Sequence, residues 1–238
     1  MAQRATRIRD DRTGANGHVL ERVFAEIRTR LKVRQEFPEA ALAEARAAAE
    51  DPELPERDET AVPFITIDPP GSMDLDQAMH LAEVVDDATG AAGWRVLYAI
   101  ADVGGLIAPD SLVAAEAMRR GQTIYLPDEP TRLHPAALSE DAGSLLPDVD
   151  RPAIVWDIVV GADGEPTSWD VYPGLVRSVA RLEYMEVQAT FDAGDPHPSI
   201  AALPELGRAR QGSALRREAI NLRLPSQTVA PTGDGRWE

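Results

Sequence analysis

Apolar and polar positions alternate along this chain with two different periods. Near the N-terminus Val19, Leu20, Val23, Phe24, Ile27 and Leu31 recur three to four residues apart. That spacing gathers apolar side chains on one helical face and predicts a helix. Phe37-Pro38 ends it, because a residue preceding proline is driven out of the helical region. The Ala-rich run 39–50, EAALAEARAAAE, predicts a second helix. DPELPERDETAVP then brings three prolines among charges, a linker composition that places a boundary near residue 60. The expected organisation is a helical extension with linker over 1–60 and one domain over 61–238.

Beyond residue 60 the period shortens. FITID (64–68) is β-branched and aromatic, a strand signature. AMHLAEVV (78–85) and WRVLYAIADV (94–103) flank DDATGAAG and predict a hairpin. PDSLVAAEAMRRG predicts a helix with Asp110 as N-cap and Gly121 as terminator. QTIYL (122–126) reads as a short strand and AIVWDIVV (153–160) as a central one. A turn at Ala162-Asp163-Gly164 leads into an extended TSWDVYPGLVRSVARL. Residues 183–192 and much of 199–220 read as helices. The fold class is α+β, a mixed and largely antiparallel sheet with packed helices after a short helical N-terminal segment. Trp94, Trp156, Trp169 and Trp237 are expected in the core.

Charge sharpens the picture. The net charge is −16, yet residues 1–35 carry nine cations, among them Arg4, Arg7, Arg9 and Arg12, against four anions. The first 35 residues are therefore +5 and the rest −21. Such an arm is either a polyanion contact or a solvated terminus. Strong acidity argues against an ordinary electrostatic nucleic-acid binder, but a carboxylate site for a hard cation is acidic by necessity. Cysteine is absent, which excludes disulfides, thiolate zinc sites and cysteine nucleophiles. No apolar stretch reaches the roughly 18 residues needed to span a membrane, so a soluble, cytoplasmic protein with no membrane partner is the expectation. His18, His80, His134 and His197 are too scattered for a histidine zinc site. Glycine patterns for nucleotide phosphates are absent.

The chemistry concentrates in FITIDPPGSMDLDQAMH (64–80). A strand ends at Asp68, Pro69-Pro70-Gly71 turns the chain, and Asp74 and Asp76 follow two residues apart. In extended chain, side chains two apart share a face, and Asp68 returns from the strand end to meet them. Crowded carboxylates repel unless a cation neutralises them. Hard oxygen donors suit Mg²⁺, held by few carboxylates plus water and substrate phosphate. The other reading is an acidic surface loop, since Asp and Gly are ordinary turn residues. The glycine and glutamate of a calcium-binding EF-hand are not in place.

The same stretch resembles the signature of the RNase II/RNase R (RNB) exoribonuclease family. YAIADV (98–103), RRGQTIYLPD (119–128), LHPAALSEDAGSLLPDVDRPAIVWDI (133–158) and VRSVARLEYMEVQ (176–188) resemble further blocks of that family, in the same order. The resemblance implies an RNB-type catalytic domain that hydrolyses single-stranded RNA from the 3′ end to 5′-mononucleotides, with Mg²⁺ or Mn²⁺ as cofactor. It implies that Asp68, Asp74 and Asp76 are catalytic metal ligands, Asp76 above all. Gln77 stands where the family has a fourth aspartate and is expected with the three aspartates in the metal site, a neutral amide that offers an oxygen in place of a charge. Tyr125 matches the tyrosine that stacks near the 3′-terminal base; without the family it reads as a half-buried core tyrosine. Asp102 reads as structural. Arg177 and Arg181 are expected to pair with local carboxylates rather than phosphates. The family's catalytic arginine and late glutamate, and its OB-fold RNA-binding domains, have no match here. The resemblance therefore implies the N-terminal half of the catalytic domain, with the other half as a partner. The alternative is a catalytically silent RNA-binding or interaction protein that keeps the fold.

Overall fold

The computed structural model describes residues 17–85, 92–220 and 222. Helices α1 (Gly17–Arg30) and α2 (Glu39–Glu50) precede strands β1 (Phe64–Asp68), β2 (Gln77–Val85) and β3 (Ala92–Ala101). A short α3 (Val103–Leu106), α4 (Leu112–Arg120) and a small hairpin of β4 (Ile124–Tyr125) and β5 (Pro130–Thr131) follow. A π-helical turn (Leu138–Ala142) leads to the long strands β6 (Asp150–Gly161) and β7 (Pro166–Glu183). Helix α5 (Tyr184–Ala193), a 3₁₀ turn (Pro198–Ile200) and α6 (Leu203–Arg216) end the described chain.

Strands β1, β2, β3, β6 and β7 close into a barrel in that order. Every neighbouring pair is antiparallel except β1 with β7, which run parallel from Phe64 beside Ser178 to Asp68 beside Glu183. The mixed, largely antiparallel expectation holds, and closure is its new feature. Alternation explains the interior. Ala78, Ala99, Val155 and Tyr172 stand in register across four strands. They pack with Phe64, Leu75, Leu97, Leu145, Ala153 and Val176 into one core. The small side chains among them suit a narrow barrel. The Tyr172 hydroxyl donates to Glu59 at 3.0 Å, and burial with that carboxylate pushes the phenol up to about 12.

On the outside, Leu81 and Val160 pack against Ala202 and Leu206 at the start of α6. A third cluster joins α2, α4 and the π-turn through Ala41, Ala45, Val113, Leu138 and Ala142. Helix α2 is thus packed into the structure through its alanines.

The structure departs from the sequence-based expectations at several points. The N-cap of α4 is Ser111, whose Oγ accepts from Ala114 N, and not Asp110. Gly121 does end that helix, at φ +77°, with its N–H on Ala117 O. QTIYL pairs only over Ile124–Tyr125. Trp169 is 67% exposed and Trp156 39%, so neither is a core residue. Both lie on outward positions of the barrel wall, where alternation places every second side chain in solvent. The β2–β3 turn, Arg4, Arg7, Arg9, Arg12 and Trp237 lie outside the described residues.

Candidate active site

The acidic loop is held by hydrogen bonds to its backbone. Strand β1 delivers Asp68 beside Glu183 at the end of β7. The chain then turns through Pro69-Pro70-Gly71, where Gly71 at φ +79° takes a conformation that a side chain disfavours. Ser72 N donates to Pro69 O, and the Arg181 guanidinium donates to Ser72 O at 3.0 Å. Ser144, fully buried, is the central fastener. Its hydroxyl donates to Met73 O at 2.6 Å and accepts from Leu75 N at 3.0 Å. Leu145 N donates to Leu75 O, and Ala101 N to Asp76 O. Leu75 is buried in the barrel core. The period of two puts Asp74 and Asp76 on the opposite side, where both line a cleft of about 380 Å³.

Gln77, Tyr125, Arg132, His134 and Glu140 line the same cleft. Tyr125 is 73% exposed, which excludes the core reading, and its hydroxyl points at Asp74 Oδ2 from 3.5 Å. Gln77 Oε1 accepts a short hydrogen bond from the Tyr98 hydroxyl. Arg132 is ion-paired with Glu140.

Negative charge in this corner is under-compensated. Burial, then the carboxylates of Asp76 and Asp74, push Asp68 above its ordinary value against the pull of Arg181. Burial and Asp74 raise Asp76. Burial and the same two carboxylates, Asp74 and Asp76, raise the Tyr125 phenol. Burial lowers His134, which favours the neutral imidazole at the cleft wall.

The structure thus gathers Asp74, Asp76, Gln77 and Tyr125 around one cleft. Asp68 is not in its lining, although the charges of Asp74 and Asp76 reach it. Among the described residues no three His, Cys, Asp or Glu side chains converge closely enough to ligate one ion. The donor set present, two carboxylates on an open cleft, still fits Mg²⁺, which takes one or two carboxylates and completes its shell with water and substrate phosphate. Asp102 caps α3, accepting from Gly105 N at 2.9 Å. Arg177 pairs with Asp150 at 2.6 Å. Arg181 holds a loop carbonyl instead of a carboxylate. Sequence reasoning overlooked Ser144, Tyr98, Arg132 and His134 as parts of this corner. The last two follow Tyr125 by seven and nine residues, and their place in the cleft comes from the β4–β5 turn-back.

Comparison with known proteins places these features in a family. A model described as the RNB domain matches residues 56–234. The chain is 33% identical over 150 residues to ribonuclease R of Vibrio parahaemolyticus, covering 61% of this chain and 17% of that protein. Mycoplasma genitalium RNase R, solved in complex with ribose-methylated single-stranded RNA, superposes with a TM-score of 0.77 at 23% identity, over 87% of this chain and 33% of that one. Yeast Ssd1, a pseudonuclease, superposes with a TM-score of 0.57 at 17% identity, over 74% of this chain and 22% of that one. The chain therefore spans a third or less of each of these relatives.

Proposed function

Since the chain belongs to the RNB-domain family, we propose that its acidic cleft is part of a Mg²⁺-dependent 3′→5′ exoribonuclease site acting on single-stranded RNA. The observation that carries this reading is the pair Asp74 and Asp76, turned into one cleft with Tyr125 by the burial of Leu75 between them. Asp74 and Asp76 would hold the ion, with Asp68 adding negative potential behind them and Gln77 offering an amide oxygen. A bound Mg²⁺ would polarise the scissile phosphoryl group and lower the pKa of an attacking water.

The chain's own residues supply positioning. The exposed face of Tyr125 offers a stacking surface for a terminal base, an interaction worth roughly 1–3 kcal/mol per base. Its hydroxyl, directed at Asp74, registers that base against the carboxylates. Arg132 stands in the cleft as a cation for a phosphate oxygen, shared with Glu140. Release of 5′-mononucleotides in the cytoplasm belongs to the same reading, as does completion of the site by the remainder of the catalytic domain.

One observation favours a second reading, a silent RNA-binding module. Gln77 replaces a potential carboxylate and its oxygen is engaged by Tyr98, which removes one charged donor from the metal. Two measurements on the chain together with the remainder of the catalytic domain, in cis or as a second chain, separate the readings. One is mononucleotide release from 3′-labelled single-stranded RNA in Mg²⁺, and the other is RNA affinity. Release abolished by Asp76→Asn supports the nuclease. Undiminished RNA affinity with no release supports the silent module.

A further inference from the structure

Helix α1 lies outside the residues that match the RNB domain, yet it reaches the hairpin that carries Tyr125. Strands β4 and β5 pair Tyr125 with Pro130 and Ile124 with Thr131, and the tip between them contains Asp128 and Glu129. Arg28, one helical turn beyond the buried Phe24, is only 5% exposed. Its guanidinium forks onto Asp128, at 2.8 Å from Nη1 to Oδ2 and 2.7 Å from Nη2 to Oδ1, and Nη2 also donates to Glu129 O at 3.2 Å. A bidentate arginine–carboxylate pair is among the stronger and more directional side-chain contacts.

The pair has consistent electrostatics. The Asp128 hydrogen bond raises Arg28 and the same bond lowers Asp128. The base of the hairpin is tied separately. Thr123 Oγ1 accepts from Leu133 N, and Arg120 donates to Arg132 O. Arg120 also donates to Arg34 O and Glu36 O and lies over the Phe37 ring, so the segment after α1 grips the same region. The tip, however, is held by Arg28.

We propose that Arg28 is a positioning residue. By clamping Asp128 it fixes the β4–β5 tip and thereby holds Tyr125 over the Asp74 carboxylate, so that the N-terminal helix sets the terminal-nucleotide pocket. This rests on the reading of Tyr125 as an RNA contact. Release of α1 opens the hairpin and removes the stacking surface while the carboxylate loop stays in place, because that loop is fastened by Ser144 and Ala101.

The test uses the full chain with Arg28→Ala, Asp128→Asn and the exchanged pair Arg28→Asp/Asp128→Arg. Amide exchange reads the hairpin directly. Arg28→Ala should speed exchange in residues 123–131 by about tenfold or more, as for loss of a charge-assisted pair, with β2 and β3 unchanged. The exchanged pair should restore protection. A single-stranded RNA bearing 2-aminopurine at its 3′ end reads the site. Arg28→Ala should weaken its binding and its stacking-dependent quenching, and add nothing to Tyr125→Ala, since residues acting through one another are not additive. Unchanged exchange at 123–131, acceleration spread evenly over the barrel, or a loss that adds fully to that of Tyr125→Ala overturns the proposal. If the wild type fails to bind this RNA, the nucleotide role of Tyr125 falls, whereas the exchange result still decides whether Arg28 positions the hairpin.

Discussion

At Asp74, Leu75 and Asp76 the chain alternates carboxylate, apolar and carboxylate, and the buried leucine turns both charges to the cleft. The arrangement stores electrostatic repulsion in the metal-free protein. Asp68 and Asp76 both have raised pKa values, from burial first and neighbouring carboxylates next. A carboxyl raised in the folded state binds its proton more tightly there than in the unfolded chain. The resulting penalty is absent below the unfolded value, about 3.9, and develops as pH rises through the folded one. At neutral pH without divalent ions, Asp76→Asn should therefore raise the melting temperature, by roughly 2–4 °C for each kcal/mol relieved in a chain of this size. The gain should vanish in acid and shrink in Mg²⁺. Thermal scans with and without a chelator check this. Gln77→Asp should do the reverse, lowering metal-free stability and tightening Mg²⁺ in calorimetry, because the added charge stands beside Asp76.

Between elements, the pair Arg28–Asp128 ties α1 to the β4–β5 hairpin, and its acid response has a definite sign. Asp128 is lowered, chiefly by the Arg28 hydrogen bond. Its contribution to docking is fully present above the unfolded carboxylate value, about 3.9, and is lost as pH falls through the lowered folded one. Amide protection of α1 should fall in that acid window before the barrel melts, and Asp128→Asn should show weak protection at every pH. This contact also marks a limit of what sequence reveals. The helix at 19–31 and the hairpin of β2 and β3 were legible because amphipathic period is local. The acidic loop was legible because Pro-Pro-Gly and the Asp-x-Asp spacing lie within nine residues of one strand end. Arg28 and Asp128 are 100 residues apart, and nothing local marks either as the other's partner. Barrel closure is hidden for the same reason, since β1 pairs with a strand more than a hundred residues downstream. Ser111 displaced Asp110 as cap because neighbouring cap-forming residues offer the helix two starts, and packing chooses between them. Trp156 was misplaced because AIVWDIVV is apolar at nearly every position, and such a run does not mark which side chains face outward. Trp169 was misplaced because a tryptophan in an extended segment reads as core until the register across the barrel shows its face.

Over the whole molecule, charge divides the chain into a basic leading segment and an acidic body, +5 over residues 1–35 and −21 beyond. An acidic body repels a polyanion at long range, and salt screens that repulsion beyond a Debye length of about 8 Å at physiological ionic strength. The structure sets cations against this field. Arg22, Arg30 and Lys32 are exposed on and just after α1, the helix whose Arg28 grips the hairpin beside the cleft. Local cations steer an approaching RNA backbone, and such steering weakens as salt rises. The two fields thus oppose each other, and removing one should uncover the other. In the wild type, the association rate for a single-stranded RNA should decline as KCl rises. In Arg22→Glu/Arg30→Glu/Lys32→Glu it should be slower at low salt and increase with KCl, since salt then screens mainly repulsion. Stopped-flow measurements across a KCl series, without divalent ions, give both slopes. Parallel slopes for the two proteins would mean that RNA does not approach along α1.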